Sequence, residues 1–224
     1  MTMTDLWDGL MTTRAMRRFS TEPVDLADVE ACLAAAVQAP SGGNIQPYQF
    51  LVVTDEATRA EIGRLYLEAH ERYEPAVAKL IPPFKDEEAR ARHERNWRAS
   101  DHLARTIGDV PVHVVCLAPM ISMEVSDETG TLDVGSRYAS VYPAVAWFLL
   151  ACRARGLASV LTTVIRIRTD EVRALLGIPD RYEVAALLPV GHPLGTWGVA
   201  PRRPAASLTS WERFGERRPG AAGS

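Results

Sequence analysis

The sequence contains little cysteine, and this scarcity limits the kinds of protein that it can encode. Three cysteines occur in 224 residues, and Cys32, Cys116 and Cys152 lie far apart, each in an apolar stretch. A disulfide framework or a zinc cluster requires cysteines in larger sets or at close spacing. We therefore expect three reduced thiols that pack as small apolar side chains in a cytoplasmic protein.

Long apolar runs and clustered histidines are also missing. The most apolar segment, residues 141–152, is shorter than the roughly 20 residues that a helix needs to cross a bilayer. Residues 1–10 carry acids but no basic side chain, which argues against an ordinary signal peptide. The five histidines do not lie at the spacing of metal ligands. The sequence therefore predicts a cytoplasmic protein with neither a membrane-spanning helix nor a bound metal.

Neither a strong net charge nor a common cofactor or hydrolase motif is present. The formal net charge is −3 and charged residues make up 24% of the chain, so nothing favours a nucleic acid as partner. The sequence has no G-x-G-x-x-G after a strand, no phosphate-binding P-loop, no H-E-x-x-H, no C-x-x-C and no G-x-S-x-G. Rossmann-type dinucleotide binding, nucleotide hydrolysis, zinc proteolysis and serine hydrolysis therefore lack support.

Helical and strand patterns alternate along the chain without a regular βαβ repeat. Helices are predicted over 25–38, 55–70, 86–106, 134–155 and 169–179, and strands over 49–55, 110–119, 156–165 and 182–193, with a loop over 121–136. This order predicts a single α+β domain over residues 1–215, with helices packed on one central sheet. We expect residues 216–224 to form a disordered tail.

Two of these segments carry more specific expectations. Residues 71–107 are charged and are interrupted by Pro75, Pro82 and Pro83, so we expect a variable helical excursion that is either a solvated helical pair or a source of substrate contacts. The predicted helix 134–155 is apolar on most faces. Such a helix is buried in a large core or at a subunit interface.

Three arginines, Arg14, Arg17 and Arg18, lie within five residues near the start of the chain. If this stretch forms a helical turn, Arg14 and Arg17 lie on one side and can converge on one anion. Guanidinium groups bind phosphate through paired, charge-assisted hydrogen bonds. Taken alone, the segment favours a solvated basic turn over an anion site.

A glycine-containing turn follows the next helix, at residues 40–47. Gly42 and Gly43 permit positive φ angles and allow backbone N–H groups to approach a ligand closely. Asn44 and Gln46 add amide donors and acceptors. Together with the arginines, this turn suggests a site for a phosphorylated planar cofactor.

These two segments and three later ones resemble the FMN-dependent nitroreductase family in order and spacing. The blocks are R-x-x-R-x-F at 14–19, APSGGNIQP at 39–47, DVPVHVVC at 109–116, SVYPAVAWFLLACRARGLASVLTT at 140–163 and LPVGHPLGTWGVAPRRP at 188–204. The resemblance extends over residues 15–210. It departs from residues that are usual in the family at Thr13, Ala15, Tyr48 and Ala158.

The resemblance implies a nitroreductase-like fold, in which helices flank a central, mostly antiparallel sheet, and an intertwined homodimer with FMN bound non-covalently at the interface. It implies phosphate contacts from Arg14, Arg17 and either Arg202 or Arg203. It also implies flavin contacts from the N-terminal segment, the turn and the segment after the long helix, at Ala15, Pro40, Ser41, Gly42, Asn44, Gln46, Leu157, Ala158, Ser159 and Thr162.

The implied reaction is hydride transfer from NADH or NADPH through flavin N5 to a small planar acceptor, such as a nitroaromatic or a quinone, in a ping-pong sequence. No protein side chain is assigned as catalytic, because the chemistry takes place on the flavin. Other branches of the superfamily carry out dehydrogenation, dehalogenation or flavin fragmentation, and a flavin-binding protein without turnover needs the same binding residues. The acceptor and the preferred nicotinamide donor stay open.

Overall fold

The computed structural model describes residues 5–133 and 135–218. The helices are α1 (Leu6–Thr12), α2 (Leu26–Ala36), α3 (Glu56–Ala78), α4 (Glu87–Thr106), α5 (Val141–Ala154), α6 (Thr169–Leu176) and α7 (Ala205–Leu208). The strands are β1 (Gln49–Val53), β2 (Val112–Pro119), β3 (Glu124–Asp127), β4 (Gly130–Asp133), β5 (Ala158–Ser159) and β6 (Tyr182–Gly191). Short 3-10 turns occupy Gly42–Asn44, Ile107–Asp109 and Val164–Arg168.

The central sheet contains four strands in the order β1-β2-β6-β5, and each neighbouring pair is antiparallel. The predicted α+β class with a central antiparallel sheet is therefore confirmed. The two middle strands, β2 and β6, are buried along almost their whole length. Helices cover both faces of the sheet, which explains why β2 and β6 read as nearly continuous apolar runs.

Successive side chains of β2 enter two different hydrophobic cores, because side chains alternate between the faces of a strand. Val114 and Cys116 pack in one core with residues of α2 and α5. Val115 and Leu117 pack in the other with residues of α3 and α4. All three cysteines are free and buried, as the sequence predicts.

Aspartate side chains cap the starts of four helices, α1, α2, α3 and α4, and the last three of these helices are ones that the sequence predicts. Asp25 accepts a hydrogen bond from the backbone N–H of Ala27 at the start of α2, and Asp55 accepts one from Thr58 at the start of α3. Asp86 caps α4 in the same way. These caps satisfy backbone donors that have no partner within the helix, and they place the helix starts within one residue of the sequence prediction.

The prediction that α3 ends near residue 70 is wrong. The helix continues to Ala78 and contains Pro75. A proline inside a helix removes one backbone hydrogen bond and costs about 3 kcal/mol, so other contacts must hold this turn in place. Trp97 of α4 donates its indole N–H to Glu74 of α3 at 2.5 Å, and packing between the two helices outweighs the local preference of proline.

Three other predicted elements also differ in the structure. Residues 124–133 form an exposed hairpin instead of part of a loop, closed by Asp127, which accepts from the N–H groups of Thr129 and Gly130. The helix predicted over 134–155 is shorter in the structure, where α5 spans Val141–Ala154. Val134, the first residue of that prediction, lies outside the described residues. The strand 156–165 is reduced to β5 and an isolated bridge between Thr162 and Leu187. Hydrophobic periodicity did not reveal the hairpin because both its strands face solvent.

The described part of the C-terminal segment ends at Arg218. The Arg217 guanidinium donates to the carbonyl groups of Ala206 and Thr209, each at 2.6 Å, so this part of the predicted tail contacts the region around α7. Residues 219–224 of that tail lie outside the described residues. Within the described chain, no helix combines the length and apolar character needed to span a membrane.

His113 is a fully buried histidine in β2, and its environment makes stability depend on pH. Its Nε2–H donates to the Ile107 carbonyl at 2.7 Å, while Nδ1 has no partner among the described residues. Burial lowers the pKa of His113 to about 4. The folded protein therefore holds this imidazole in its neutral form at neutral pH.

We expect the free energy of unfolding to fall by about 2 kcal/mol between pH 8 and pH 5 through His113. The unfolded chain binds a proton below about pH 6.5, whereas the folded protein binds it only near pH 4, so stability decreases as the pH falls through this window. Urea denaturation at several pH values measures the change. His113→Gln retains a donor for Ile107 and should remove most of the decrease, whereas His192→Gln, at a partly exposed position, should not. An unchanged pH dependence in His113→Gln would contradict this assignment.

Candidate functional site

The N-terminal arginines lie on an extended segment that runs between two parts of the central sheet. The backbone N–H of Met16 donates to the carbonyl of Ser159, and that of Leu194 donates to the carbonyl of Arg18. The segment is not helical, so the helical-turn geometry considered for Arg14 and Arg17 is absent. Tertiary hydrogen bonds bring these arginines to the end of β5.

A large cavity of about 780 Å³ lies beside this segment and is unusually rich in positive charge. We call it the arginine cavity. No carboxylate of residues 5–133 and 135–218 lines it, and its lining includes six arginines, Arg14, Arg17, Arg18, Arg92, Arg95 and Arg202. Among the described residues only Arg92 of this set forms an ion pair, with the exposed Glu88 at 3.5 Å. So many cations without counter-charges predict an anionic ligand.

The Ser159 cavity, of about 230 Å³, adjoins the arginine cavity and shares Arg14 and Arg202 with it. Leu157, Ser159 and residues 160–161 also line it. The Ser159 hydroxyl is buried and has no hydrogen-bond partner among the described residues. An unsatisfied buried hydroxyl is costly, and a ligand with polar edge atoms would remove that cost.

The Thr162 cavity, of about 220 Å³, lies on the other side of Arg17 and is lined by Thr162, Tyr66 and His70 together with aromatic residues of the two long helices. The Tyr66 and Thr162 hydroxyl groups form a buried hydrogen bond of 2.6 Å. Burial raises the pKa of Tyr66, so the phenol stays neutral. Burial also lowers the pKa of Arg17, although a guanidinium remains charged at neutral pH.

Two tryptophans, Trp97 and Trp197, lie at these cavities. Trp97 lines both the arginine cavity and the Thr162 cavity. Trp197 lines the Ser159 cavity, and the Arg153 guanidinium lies 4.3 Å from the centre of its ring. Tyr73 also lines the Thr162 cavity. An apolar planar molecule would find aromatic surfaces at both ends of the site.

The predicted site residues fall into two separate groups. Arg14, Ala15, Arg17, Leu157, Ser159, Thr162 and Arg202 line the three cavities. Pro40, Ser41, Gly42, Asn44 and Gln46 line none of them, and neither do Ala158 and Arg203. Of the two arginines that the sequence left as alternatives, the structure brings only Arg202 into the cavities.

The turn at 40–47 lies against the start of α5. The backbone N–H of Gly42 donates to the Ser140 hydroxyl at 3.1 Å. Gly43, Asn44 and Gln46 have positive φ angles of 56°, 55° and 51°. Positive φ is strained for residues other than glycine, and strain of this kind is common where a backbone is shaped for a ligand. Within one chain, however, the turn does not reach the arginine cavity.

Sequence reasoning did not find the contribution of α4 to the arginine cavity. Arg92 and Arg95 are three residues apart and both line it. One signal was available in the sequence. Arg95 has alanine four residues before it and four residues after it, whereas Arg92, Arg98 and Arg105 each have an acid four residues before them. The acid–arginine pairs along the rest of α4 indicated a solvated helix, so the lack of an acid four residues from Arg95 was not recognised.

His70, Glu74 and Asp101 form a cluster in which one ligand atom of each residue lies within 4.8 Å of the others. Both carboxylates already accept hydrogen bonds, Glu74 from Trp97 and Asp101 from Arg105. The hydrogen bond from Arg105 lowers the pKa of Asp101. Because the acids have protein donors, we assign no metal to this cluster.

Comparison with known proteins gives a consistent result. The model of the nitroreductase family matches residues 10–192. The chain is 30% identical over 188 residues to an iodotyrosine deiodinase of Thermotoga neapolitana, and the match covers 84% of this chain and 88% of that protein. It is 26% identical over 210 residues to an NADH dehydrogenase of Thermus thermophilus, covering 92% of this chain and 96% of the relative.

A solved structure also resembles this fold. The crystal structure of oxidized iodotyrosine deiodinase bound to FMN and 3-iodo-L-tyrosine superposes with a TM-score of 0.67 at 26% sequence identity. The match covers 89% of this chain and 96% of that one. The family match over residues 10–192 includes the N-terminal arginines, α4 and residues 157–164, whereas Trp197 and Arg202 lie beyond it.

Proposed function

Because the chain belongs to the nitroreductase family, we propose that it is a cytoplasmic FMN-dependent oxidoreductase whose flavin occupies the arginine and Ser159 cavities. The observation that carries this proposal is the set of six arginines beside a buried hydroxyl: within the described part of the chain, no carboxylate lines the arginine cavity and the Ser159 hydroxyl has no partner. FMN carries a phosphate ester and a planar ring with polar edges, so its two halves match the two halves of this site.

Each residue of the site has a distinct part in this proposal. Arg14 and Arg202 line both cavities and would bind the phosphate. The Ser159 hydroxyl and the backbone of 157–161 would meet the polar edge of the ring. Arg17 lies between the arginine cavity and the Thr162 cavity, and a cation at the ring edge would raise the electron affinity of the flavin.

FMN held by Arg14, Arg202 and the Ser159 hydroxyl would supply hydride-transfer chemistry between a donor and a second substrate. The chain would orient that substrate in the Thr162 cavity, where Tyr73 and Trp97 offer aromatic surfaces and Thr162 and Tyr66 offer hydroxyl groups. The cavity is small, at about 220 Å³, and this size favours a small planar acceptor such as a nitroaromatic or a quinone. NADH or NADPH would supply the electrons in the preceding half-reaction.

A second candidate is reductive dehalogenation of a halogenated aromatic compound. It is supported by the 30% identity to an iodotyrosine deiodinase. The same binding residues would serve both reactions, so the cavities alone do not separate them.

Anaerobic mixing of the purified protein with NADH or NADPH tests the proposal. We expect the absorbance of bound flavin to bleach, and to return when a nitroaromatic or a quinone is added. Recovery only with a halogenated tyrosine would favour dehalogenation. A protein that purifies without flavin, and that does not take up added FMN, would contradict the proposed function.

We expect the protein to be a homodimer in solution. The turn at 40–47 does not reach the cavities of its own chain, so FMN could meet both the turn and the arginines only if a second subunit supplies one of them. Trp147 of α5 is 43% exposed and Ile45 of the turn is 74% exposed, which leaves apolar surface for such a contact. Sedimentation equilibrium of the flavin-loaded protein measures the mass, and a stable monomer with bound FMN would contradict this expectation.

A further inference from the structure

We propose that α4 forms part of the phosphate site, with Arg95, supported by Arg92, binding the phosphate ester of FMN together with Arg14 and Arg202. This inference rests on the proposed function. It assigns a cofactor-binding role to a helix that the sequence indicated only as a solvated or substrate-contacting excursion.

Arg95 differs from the other arginines of α4 in its charge environment. Each of the others has a carboxylate three or four residues earlier, in the ion pairs Arg90–Glu87, Arg92–Glu88, Arg98–Glu94 and Arg105–Asp101. Arg95 has no ion-pair partner in the part of the chain that the structure describes. Its neighbours three residues away, Arg92 and Arg98, are both cations, and like charges at this spacing destabilise a helix.

Arg95 lies where its uncompensated positive charge can bind an anion. Arg95 lines the arginine cavity, as Arg14 and Arg202 do. Arg98, in contrast, lines a different groove, between α4 and the segment that joins it to α3. Arg95, the one arginine of α4 without an ion-pair partner among the described residues, thus lies at the cavity where an anion is expected.

The N-terminal segment leaves room for donors from α4. The hydroxyl of Thr13 donates to the carbonyl of Gly9 at 2.6 Å and is therefore engaged within α1. Ala15 has no side-chain donor. A phosphate ester carries a charge near −2 and three strong acceptor oxygens. Arg14 and Arg202 would balance this charge, and a third guanidinium would donate to acceptor positions on the three oxygens that two arginines leave open.

The same phosphate chemistry occurs in a nicotinamide dinucleotide, and the experiment must separate the two sources. We commit to FMN because Arg95 shares its cavity with Arg14 and Arg202, the residues that also reach the Ser159 cavity. Binding of the dinucleotide phosphate is an outcome of the test that would overturn the proposal.

The test compares FMN with riboflavin, which has the same ring and no phosphate. Flavin is removed from the purified protein by dialysis, and each compound is titrated back while the quenching of its fluorescence is followed. We expect Arg95→Gln to weaken FMN binding by about tenfold and to leave riboflavin binding unchanged, as expected for loss of one charge-assisted contact. The matched control, Arg98→Gln, lies one turn away and should leave both affinities unchanged.

The remaining outcomes are equally decisive. Unchanged FMN affinity in Arg95→Gln would overturn the inference while leaving the proposed function intact. So would a selective loss of affinity for NADPH, which would assign Arg95 to the dinucleotide. Equal weakening of FMN and riboflavin would indicate a disturbed fold, which circular dichroism would show, or a contact to the ring instead of the phosphate. Failure of the unaltered protein to bind either flavin would contradict the proposed function itself.

Discussion

Replacement of both Arg14 and Arg202 by alanine is expected to yield a colourless protein that purifies without FMN. These two arginines line both the arginine cavity and the Ser159 cavity, which places them where phosphate and ring would join. A hydrogen bond to a charged group contributes about 1.5–3 kcal/mol, so loss of two such contacts would weaken FMN binding by roughly 10²–10⁴-fold. This is the largest effect on the cofactor that we expect from any pair of substitutions.

The measurement is the ratio of flavin to protein absorbance after purification, followed by titration with FMN. Arg203→Ala is a close control, because Arg203 is the neighbour of Arg202, carries the same charge, is exposed and lines none of the cavities. It should retain FMN fully. A double variant that keeps a full complement of FMN would show that the phosphate lies elsewhere.

The largest effect on folding is expected from Gly63→Val in α3. This helix crosses the 3-10 turn Ile107–Asp109 so closely that a Cβ atom at Gly63 would lie 2.7 Å from Cα and 2.9 Å from N of Gly108. Arg59, one turn earlier, holds the two segments together by donating to the carbonyl groups of Gly108 and Val110. Because both clashing atoms belong to backbone, we expect the free energy of unfolding to fall by about 3 kcal/mol.

Urea denaturation followed by circular dichroism measures this loss. Gly63→Ala tests the same contact with a smaller group, since alanine stabilises a helix by about 1 kcal/mol relative to glycine and a net loss would therefore come from the clash. Gly198→Val serves as the control, because no atom lies within 4 Å of a Cβ placed there. Stability equal to that of the unaltered protein would refute close contact between α3 and the turn.

Local sequence patterns were sufficient where one chemical preference acts on one segment. The starts of α2, α3 and α4, each capped by an aspartate, and the apolar runs of β2 and β6 lie close to where the sequence predicts them. The fold class followed from the order of these elements. Sequence patterns predicted the wrong structure at Pro75 and at 124–133. At Pro75 the helix continues because α3 packs on α4. At 124–133 a turn closed by the Asp127 side chain forms a hairpin.

The site divides in the same way. Residue types and motif order indicated arginines, a glycine-containing turn and the segment after α5, and the structure brings Arg14, Ser159 and Arg202 together at adjoining cavities. No motif indicated Arg95, and its spacing from acids in α4 was only a weak signal, because the role proposed for it depends on which face of α4 turns toward the N-terminal segment. The sequence also did not indicate that the turn at 40–47 is separate from the cavities of its own chain.

The sequence by itself therefore determined the family, the fold class and the presence of residues suited to a phosphorylated planar cofactor, because these depend on local chemistry and on the order of segments. Only the tertiary structure decided which cations share a cavity, that Arg202 and not Arg203 reaches it, and that no carboxylate of the described residues lines it. The reason is that the electrostatic potential of the site is the sum of contributions from side chains that are distant in sequence. The distances between these side chains are fixed only when the helices pack on the sheet.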